Sequence, residues 1–162
     1  MAENILYLLN QDKPNAKAVV WAHNTHIARD KLTYYKITMG SQLANVLNEA
    51  YYAIGFEFYQ GSLRVWDPDN NRYYSSTVGI PPIESLPWYF NNTDLDKLFI
   101  DFRNTGADLV KNFSQSYGMH RIGATIIPKQ PATTSVSLKN YDGMIFIKET
   151  TAAKDFTKVV LE

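Results

Sequence analysis

Val19-Val20-Trp21-Ala22-His23-Asn24-Thr25-His26-Ile27-Ala28-Arg29 is an apolar run that stops abruptly at two histidines, an asparagine and an arginine. Short apolar runs bounded by polar residues are the pattern of strands buried on both faces of an α/β sheet. Residues 17–22 are therefore expected to form such a strand, with the polar cluster at its carboxyl end. In open α/β sheets that end carries the ligand crevice, because the loops leaving the strand tips enclose it. The chain has three histidines, and two of them are in this stretch.

Composition narrows the possible functions. A length of 162 residues suits one domain with its own core, so residues 1–162 are taken as a single domain. Sixteen basic and sixteen acidic side chains give a formal charge of zero, which argues against nucleic acid and anionic membranes as partners. Cysteine is absent, which excludes a disulfide scaffold, a thiolate nucleophile and a thiolate zinc site. No apolar run approaches membrane-spanning length and the start lacks a basic leader, so a cytoplasmic location is expected.

Outward from the histidine stretch, helical and strand patterns alternate. Met1, Ile5, Leu8 and Leu9 predict an amphipathic first helix, stopped near Pro14 and Asn15. Thr38 or Ser41 is suited to cap a helix with Leu43, Val46, Leu47 and Ala50 on its apolar side and Gly40 at its entrance. Residues 52–59 predict a strand, and residues 63–66 and 72–75 a hairpin around a turn rich in Asp and Asn. A short helix is expected within residues 85–90 and another over 107–114. Strands are expected at 98–103, 122–127 and 144–147, with a polar loop over 129–137. The fold class is α/β, a mostly parallel or mixed sheet flanked by helices with a β-hairpin insertion.

Trp21-Ala22-His23-Asn24-Thr25-His26-Ile27, Met39-Gly40 opening a helix, and Tyr52-Ala53-Ile54-Gly55-Phe56 ahead of Gly61-Ser62 resemble the carboxyl-terminal half of the erythromycin esterase family. Arg121-Ile122-Gly123-Ala124 and Tyr141-Asp142-Gly143-Met144-Ile145-Phe146-Ile147 with Glu149-Thr150 resemble its last strand segments in the same order. The resemblance implies a carboxylic, macrolactone-type ester hydrolase of the kind that confers macrolide resistance. It also implies that a glutamate and histidine motif supplying the general base lies in an amino-terminal half absent here, since no Glu-x-x-His occurs in this chain. A truncated esterase, inactive by itself, is the expectation. Its partners would be a small-molecule ester in the complete protein and, through the surface that faced the missing half, a second copy of itself.

Ester hydrolysis needs a base for water and donors for the oxyanion, and imidazole serves either role near neutral pH. The resemblance places His23 and His26 as catalytic cleft residues, His23 nearer the reacting centre. Asn24 and Arg29 would contact substrate, Asn24 by orienting an imidazole or donating a hydrogen bond, Arg29 by neutralising a carboxylate. His-x-x-His can also bind a metal, but no third ligand is evident, and neither metal nor cofactor is assigned. Glu57 and Asp101 are expected to pair with Arg64, Arg103 or Arg121, and His120 to be solvated in a loop. Trp66, Tyr73, Tyr74, Trp88 and Tyr89 suit packing or sugar stacking. The alternative function is accordingly a non-catalytic carbohydrate or small-ligand binding domain.

Overall fold

The computed structural model describes residues 1–11, 16–30, 37–106, 115–120, 122–124 and 133–154. Four helices are seen among them: α1 (Ala2–Gln11), α2 (Asn24–Ile27), α3 (Met39–Leu47) and α4 (Leu86–Asn91). The strands are β1 (Ile54–Asp67), β2 (Arg72–Val78), β3 (Lys97–Asp101), β4 (Ser116–His120), β5 (Thr133–Ser137) and β6 (Gly143–Thr150). A four-stranded mixed sheet runs in the order β2-β1-β6-β3, and β4 pairs with β5 in a second, smaller sheet. With flanking helices this is the expected α/β class.

The chain divides into two compact units. The first comprises Met1–Phe56, Phe99–Tyr117 and Ser135–Ile145. Its buried side chains include Ile27, Ala28, Met39, Leu43, Ala53, Leu138, Tyr141 and Met144. In α1 the covered face is Ala2, Ile5, Leu6 and Leu9, while Met1 and Leu8 are exposed. The helix is where its periodicity predicts, rotated from the expected face by about one residue. Thr38 begins α3 with a capping box: its Oγ1 accepts from Ser41 N at 2.9 Å, and Ser41 Oγ accepts from Thr38 N at 3.0 Å. Gly40 is dictated by space, because a Cβ there would run into the backbone carbonyls of Ile27 and Ala28. The absence of a side chain lets α3 abut the histidine stretch directly.

The second unit comprises Glu57–Leu98, Gly118–Thr134 and Phe146–Glu162. Its hairpin lies where the sequence predicts one, with Trp66 opposite Tyr73 and Asp67 opposite Arg72, and continues to Gly61 opposite Val78. Asp67 organises the turn by accepting from the backbone N–H groups of Asp69 and Asn70 and from Asn70 Nδ2. That side-chain hydrogen bond from Asn70 holds the Asp67 carboxyl below its ordinary pKa. Gly61 has φ of 135°, and a Cβ would meet the backbone of Thr150. Val65, Val78, Leu86, Phe90, Met119 and Phe146 are buried, and the Phe90 and Phe146 rings meet edge to face at 5.5 Å.

Several expectations are corrected. Residues 17–22 form no strand and are mostly exposed, Val19 at 96% and Trp21 at 84%. An apolar run is buried only if strands flank it, and no described strand pairs with this one. The 52–59 and 63–66 strands are one continuous β1. Residues 122–124 are not a strand, whereas 116–120 and 133–137 are. Gly118 in β4 and the Thr and Ser residues that make up four of the five positions of β5 conceal those strands from a hydrophobicity pattern. The helix expected at 107–114, the turn at Pro14 and Asn15, and residues 125–127 lie outside the described residues.

Candidate active site

His23, Asn24, His26 and Arg29 lie in and beside a single helical turn of the first unit, α2. His23 is its N-cap: the Thr25 N–H donates to His23 Nδ1 at 3.2 Å, and Thr25 Oγ1 lies 2.9 Å from the same nitrogen. Since Nδ1 accepts, the neutral ring carries its proton on Nε2. The His26 ring lies 6.4 Å from that of His23, edge to face, and both residues are exposed. His26 lines a cleft of about 250 Å³ with Thr25, Ile37, Thr38, Met39 and Gln42. His23 is not among the residues that line it.

The turn is held on several sides. Asn24 Nδ2 donates to Phe56 O at 2.6 Å, and Phe56 N donates to Asn24 Oδ1 at 2.9 Å. The amide thus acts as a neighbouring strand's backbone would, docking the turn on the first residues of β1. Tyr51 Oη donates to Ile27 O at 2.6 Å and Thr38 Oγ1 to Ala28 O at 2.7 Å. Beyond the turn, Arg29 N donates to Asn140 O and Asp30 N to Asn140 Oδ1. The histidines are therefore placed against the amino-terminal end of β1, a correction to the expectation that they cap the carboxyl end of a strand of their own. Asn24 grips backbone here, not an imidazole.

The carboxylate expected beside Arg29 is Asp142. Arg29 Nη1 donates to Asp142 Oδ2 at 2.6 Å, Arg103 Nε to Oδ1 at 2.8 Å, and Ala53 N to Oδ2 at 2.7 Å. Each arginine also lies over a tyrosine ring, Arg29 over Tyr51 at 5.6 Å and Arg103 over Tyr52 at 4.8 Å. Arg103 donates further to the carbonyls of Glu49 and Tyr51. Its hydrogen bond with Asp142 raises the already high arginine pKa. Burial pushes the Tyr51 phenol up to about 12. The Tyr52 phenol is also raised to about 12, first by desolvation and then by its hydrogen bond to Asp101. Asp101 in turn is lowered, chiefly by Asn104. Arg103 therefore pairs with Asp142, and Asp101 is bonded to Tyr52 and Asn104, contrary to the pairing expected. Asp142 itself gave no sequence signal beyond its place in Tyr141-Asp142-Gly143.

The third histidine behaves differently from the expectation of a solvated loop. In the second unit, His120 ends β4 with its side chain 3% exposed and Nδ1 2.7 Å from Glu57 Oε1. Glu57 also accepts from His120 N at 3.0 Å and Phe58 N at 3.0 Å, and the imidazole stacks on Phe58 at 4.5 Å. Glu57 thus takes a histidine, not an arginine, as its partner. Among the described residues no group of three or more His, Asp or Glu side chains could hold a metal ion.

The sequence profile of the erythromycin esterase family matches residues 1–150. The chain belongs to the erythromycin esterase family. The "Putative hydrolase YbfO" of Bacillus subtilis (strain 168) is 25% identical over 158 residues, a match that covers 93% of this chain and 34% of that protein. "Erythromycin esterase type II" of Escherichia coli is 26% identical over 118 residues, covering 67% of this chain and 28% of that one. A Bacillus cereus protein of known crystal structure shares the fold with a TM-score of 0.72 and 23% identity, over 81% of this chain and 33% of the other. This member of the erythromycin esterase family spans about a third of the length of the relatives it matches. No described helix is long and apolar enough to cross a membrane.

Proposed function

We propose that this chain supplies the histidine-bearing wall of an erythromycin esterase-type active site, acting on a carboxylic ester of the macrolactone kind in the cytoplasm. By itself it is a truncated hydrolase without turnover. The observation that carries this reading is the clamped turn, which holds two exposed imidazoles side by side next to a cleft in a member of that family. His23, with its proton on Nε2, suits donation to the oxyanion that forms when water adds to the ester carbonyl. His26, at the cleft, contacts substrate. The base that deprotonates water comes from polypeptide outside this chain, and Arg29 supports the turn through Asp142.

The test is hydrolysis of erythromycin and of a simple aryl ester. The chain would be assayed alone and mixed with the portion of the Escherichia coli esterase outside its match to this chain, with His23→Ala and His26→Ala beside the parent. The chain alone is expected to be inactive. The mixture is expected to turn over, with His23→Ala lowering kcat by about 10²-fold or more, the usual effect of losing an oxyanion donor. Turnover by the chain alone that survives His23→Ala would refute the proposal.

A second reading, a carbohydrate-binding module, is favoured by one feature of the hairpin. Trp66 meets Tyr73 at 4.9 Å, and Arg64 lies 5.1 Å over the Tyr73 ring, on one face of paired strands. Retention on polysaccharide gels that Trp66→Ala abolishes would favour this reading over the esterase.

A further inference from the structure

The cleft beside His26 is small and carries no fixed charge. Among the described residues no Asp, Glu, Lys or Arg side chain lines it, and most of its wall is apolar, including Ile37 and Met39. Its volume of about 250 Å³ decides what enters. An apolar cavity of about 150 Å³ holds one benzene molecule, so by proportion this cleft has room for about ten non-hydrogen atoms. That is fewer than a macrolactone ring contains.

Two polar groups of the lining are open to such a guest. Thr25 Oγ1 is engaged with His23, and Thr38 Oγ1 with Ala28 O and Ser41 N. The His26 imidazole and the Gln42 carboxamide are exposed and, among the described residues, have no hydrogen-bond partner. Met39 and Gln42 are three apart on α3 and so share one side of the helix. That side is fixed beside α2, because Thr38 caps α3 and Gly40 brings its backbone against Ile27 and Ala28. The cleft is therefore formed before any ligand arrives.

We infer that this cleft binds an uncharged alkyl or aryl arm of about ten non-hydrogen atoms or fewer, carried on either side of an ester group. The arm lies against Ile37 and Met39, and Gln42 determines the specificity by hydrogen bonding to the ester. A carboxylate or ammonium on the arm is rejected, because the lining offers no partner for a charge that the cleft would strip of water. This inference rests on the proposed function for the ester and narrows the substrate to a small ester, or to a larger one that inserts only such an arm.

The test is an NMR titration of the full chain with isotope-labelled methionine and isoleucine methyl groups. Methyl hexanoate is expected to shift the Ile37 and Met39 signals to saturation. Hexanoate, hexylammonium and methyl pyrenebutyrate, whose arm exceeds the volume, are expected to bind roughly tenfold more weakly or worse. Hexyl acetate carries the same arm on the alcohol side, and the tighter of the two esters assigns the side. Gln42→Leu, at an exposed position, is expected to weaken methyl hexanoate by about three- to tenfold, the effect of one lost hydrogen bond. Gln42→Glu, equal in size but charged, is expected to reverse the order of methyl hexanoate and hexylammonium. An unchanged signal from the buried Met144 shows that both variants are folded. Hexanoate or the pyrene ester binding as tightly as methyl hexanoate overturns the inference. So do shifts of the exposed Ile80 and Ile83 equal to those of Ile37, which would mark non-specific apolar contact. In the mixture with the Escherichia coli portion, binding without turnover sustains the cleft's specificity and refutes the catalytic reading, whereas equal turnover of methyl hexanoate and the pyrene ester does the converse.

Discussion

The carboxylate of Glu57 accepts from two backbone amides and pairs with the His120 imidazole, at only 2% side-chain exposure. Removing it leaves three donors buried, whereas Gln retains an oxygen for some of them, so Glu57→Leu is expected to lower stability by about 3 kcal/mol and Glu57→Gln by about half that. Urea unfolding checks the order, and equal losses would show that the Gln oxygen keeps none of these hydrogen bonds. Alkaline pH tests the two tyrosines. Their pKa values rise from 10.0 to about 12 in the folded protein, so stability from their protonated forms is complete below pH 10. As pH rises from 10 toward 12 the unfolded chain loses protons that the folded chain keeps, and this stability is lost. Tyr51→Phe and Tyr52→Phe together should flatten the loss in urea midpoints measured across that window. Single residues were legible in the sequence only where their partners are local. Thr38 caps its own helix, but the Glu57 and His120 pairing joins positions 63 apart, and the Asp142 clamp on Arg29 joins positions 113 apart. Nothing in the local sequence around either member announces such partners.

Elements such as α1, α3 and the hairpin lie where their sequence puts them, but of the apolar side expected for α3 only Leu43 is buried: Val46 is 58% exposed and Ala50 lies beyond the helix, whose buried positions are Met39, Gly40 and Leu43. Thr38 and Ser41 fix the start of α3, and Asp67 with Asn70 fixes the hairpin turn, because capping and turn chemistry act within a few residues. Residues 17–22 carry an equally clear apolar signal and pair with no described strand, because a strand's burial depends on neighbours that sequence pattern does not describe. β4 and β5 were missed for the opposite reason, being polar or glycine-containing segments paired with each other. At this scale Gly40 makes the sharpest prediction. Gly40→Ala puts a methyl group into the backbone carbonyls of Ile27 and Ala28, where the nearest atoms belong to backbone and not to a flexible side chain that could yield. The expected cost is about 2 kcal/mol, against a gain of under 1 kcal/mol from helix propensity at an ordinary position. A thermal melt of this variant beside Ala44→Gly separates clash from propensity, since an increase in Tm would mean that α3 does not abut the turn.

For the molecule as a whole, the family was legible because its motifs recur in order, from the histidine stretch to Tyr141-Asp142-Gly143, and the profile match runs over residues 1–150. What the chain does in solution depends on its surface. Equal numbers of basic and acidic groups leave no net charge to keep copies apart near neutral pH, while Val19, Trp21, Ile80 and Ile83 expose apolar area. Association through such patches is therefore expected to be greatest near neutrality. With a sequence pI of about 6.8, lowering the pH toward about 5 makes the chain as a whole cationic and self-repelling. Trp21→Lys, which removes the largest exposed apolar side chain and adds a charge, should lower light scattering at neutral pH more than Tyr73→Lys does on the hairpin. If the two substitutions act equally, net charge alone governs association, and the segment before the histidine turn has no special part in it.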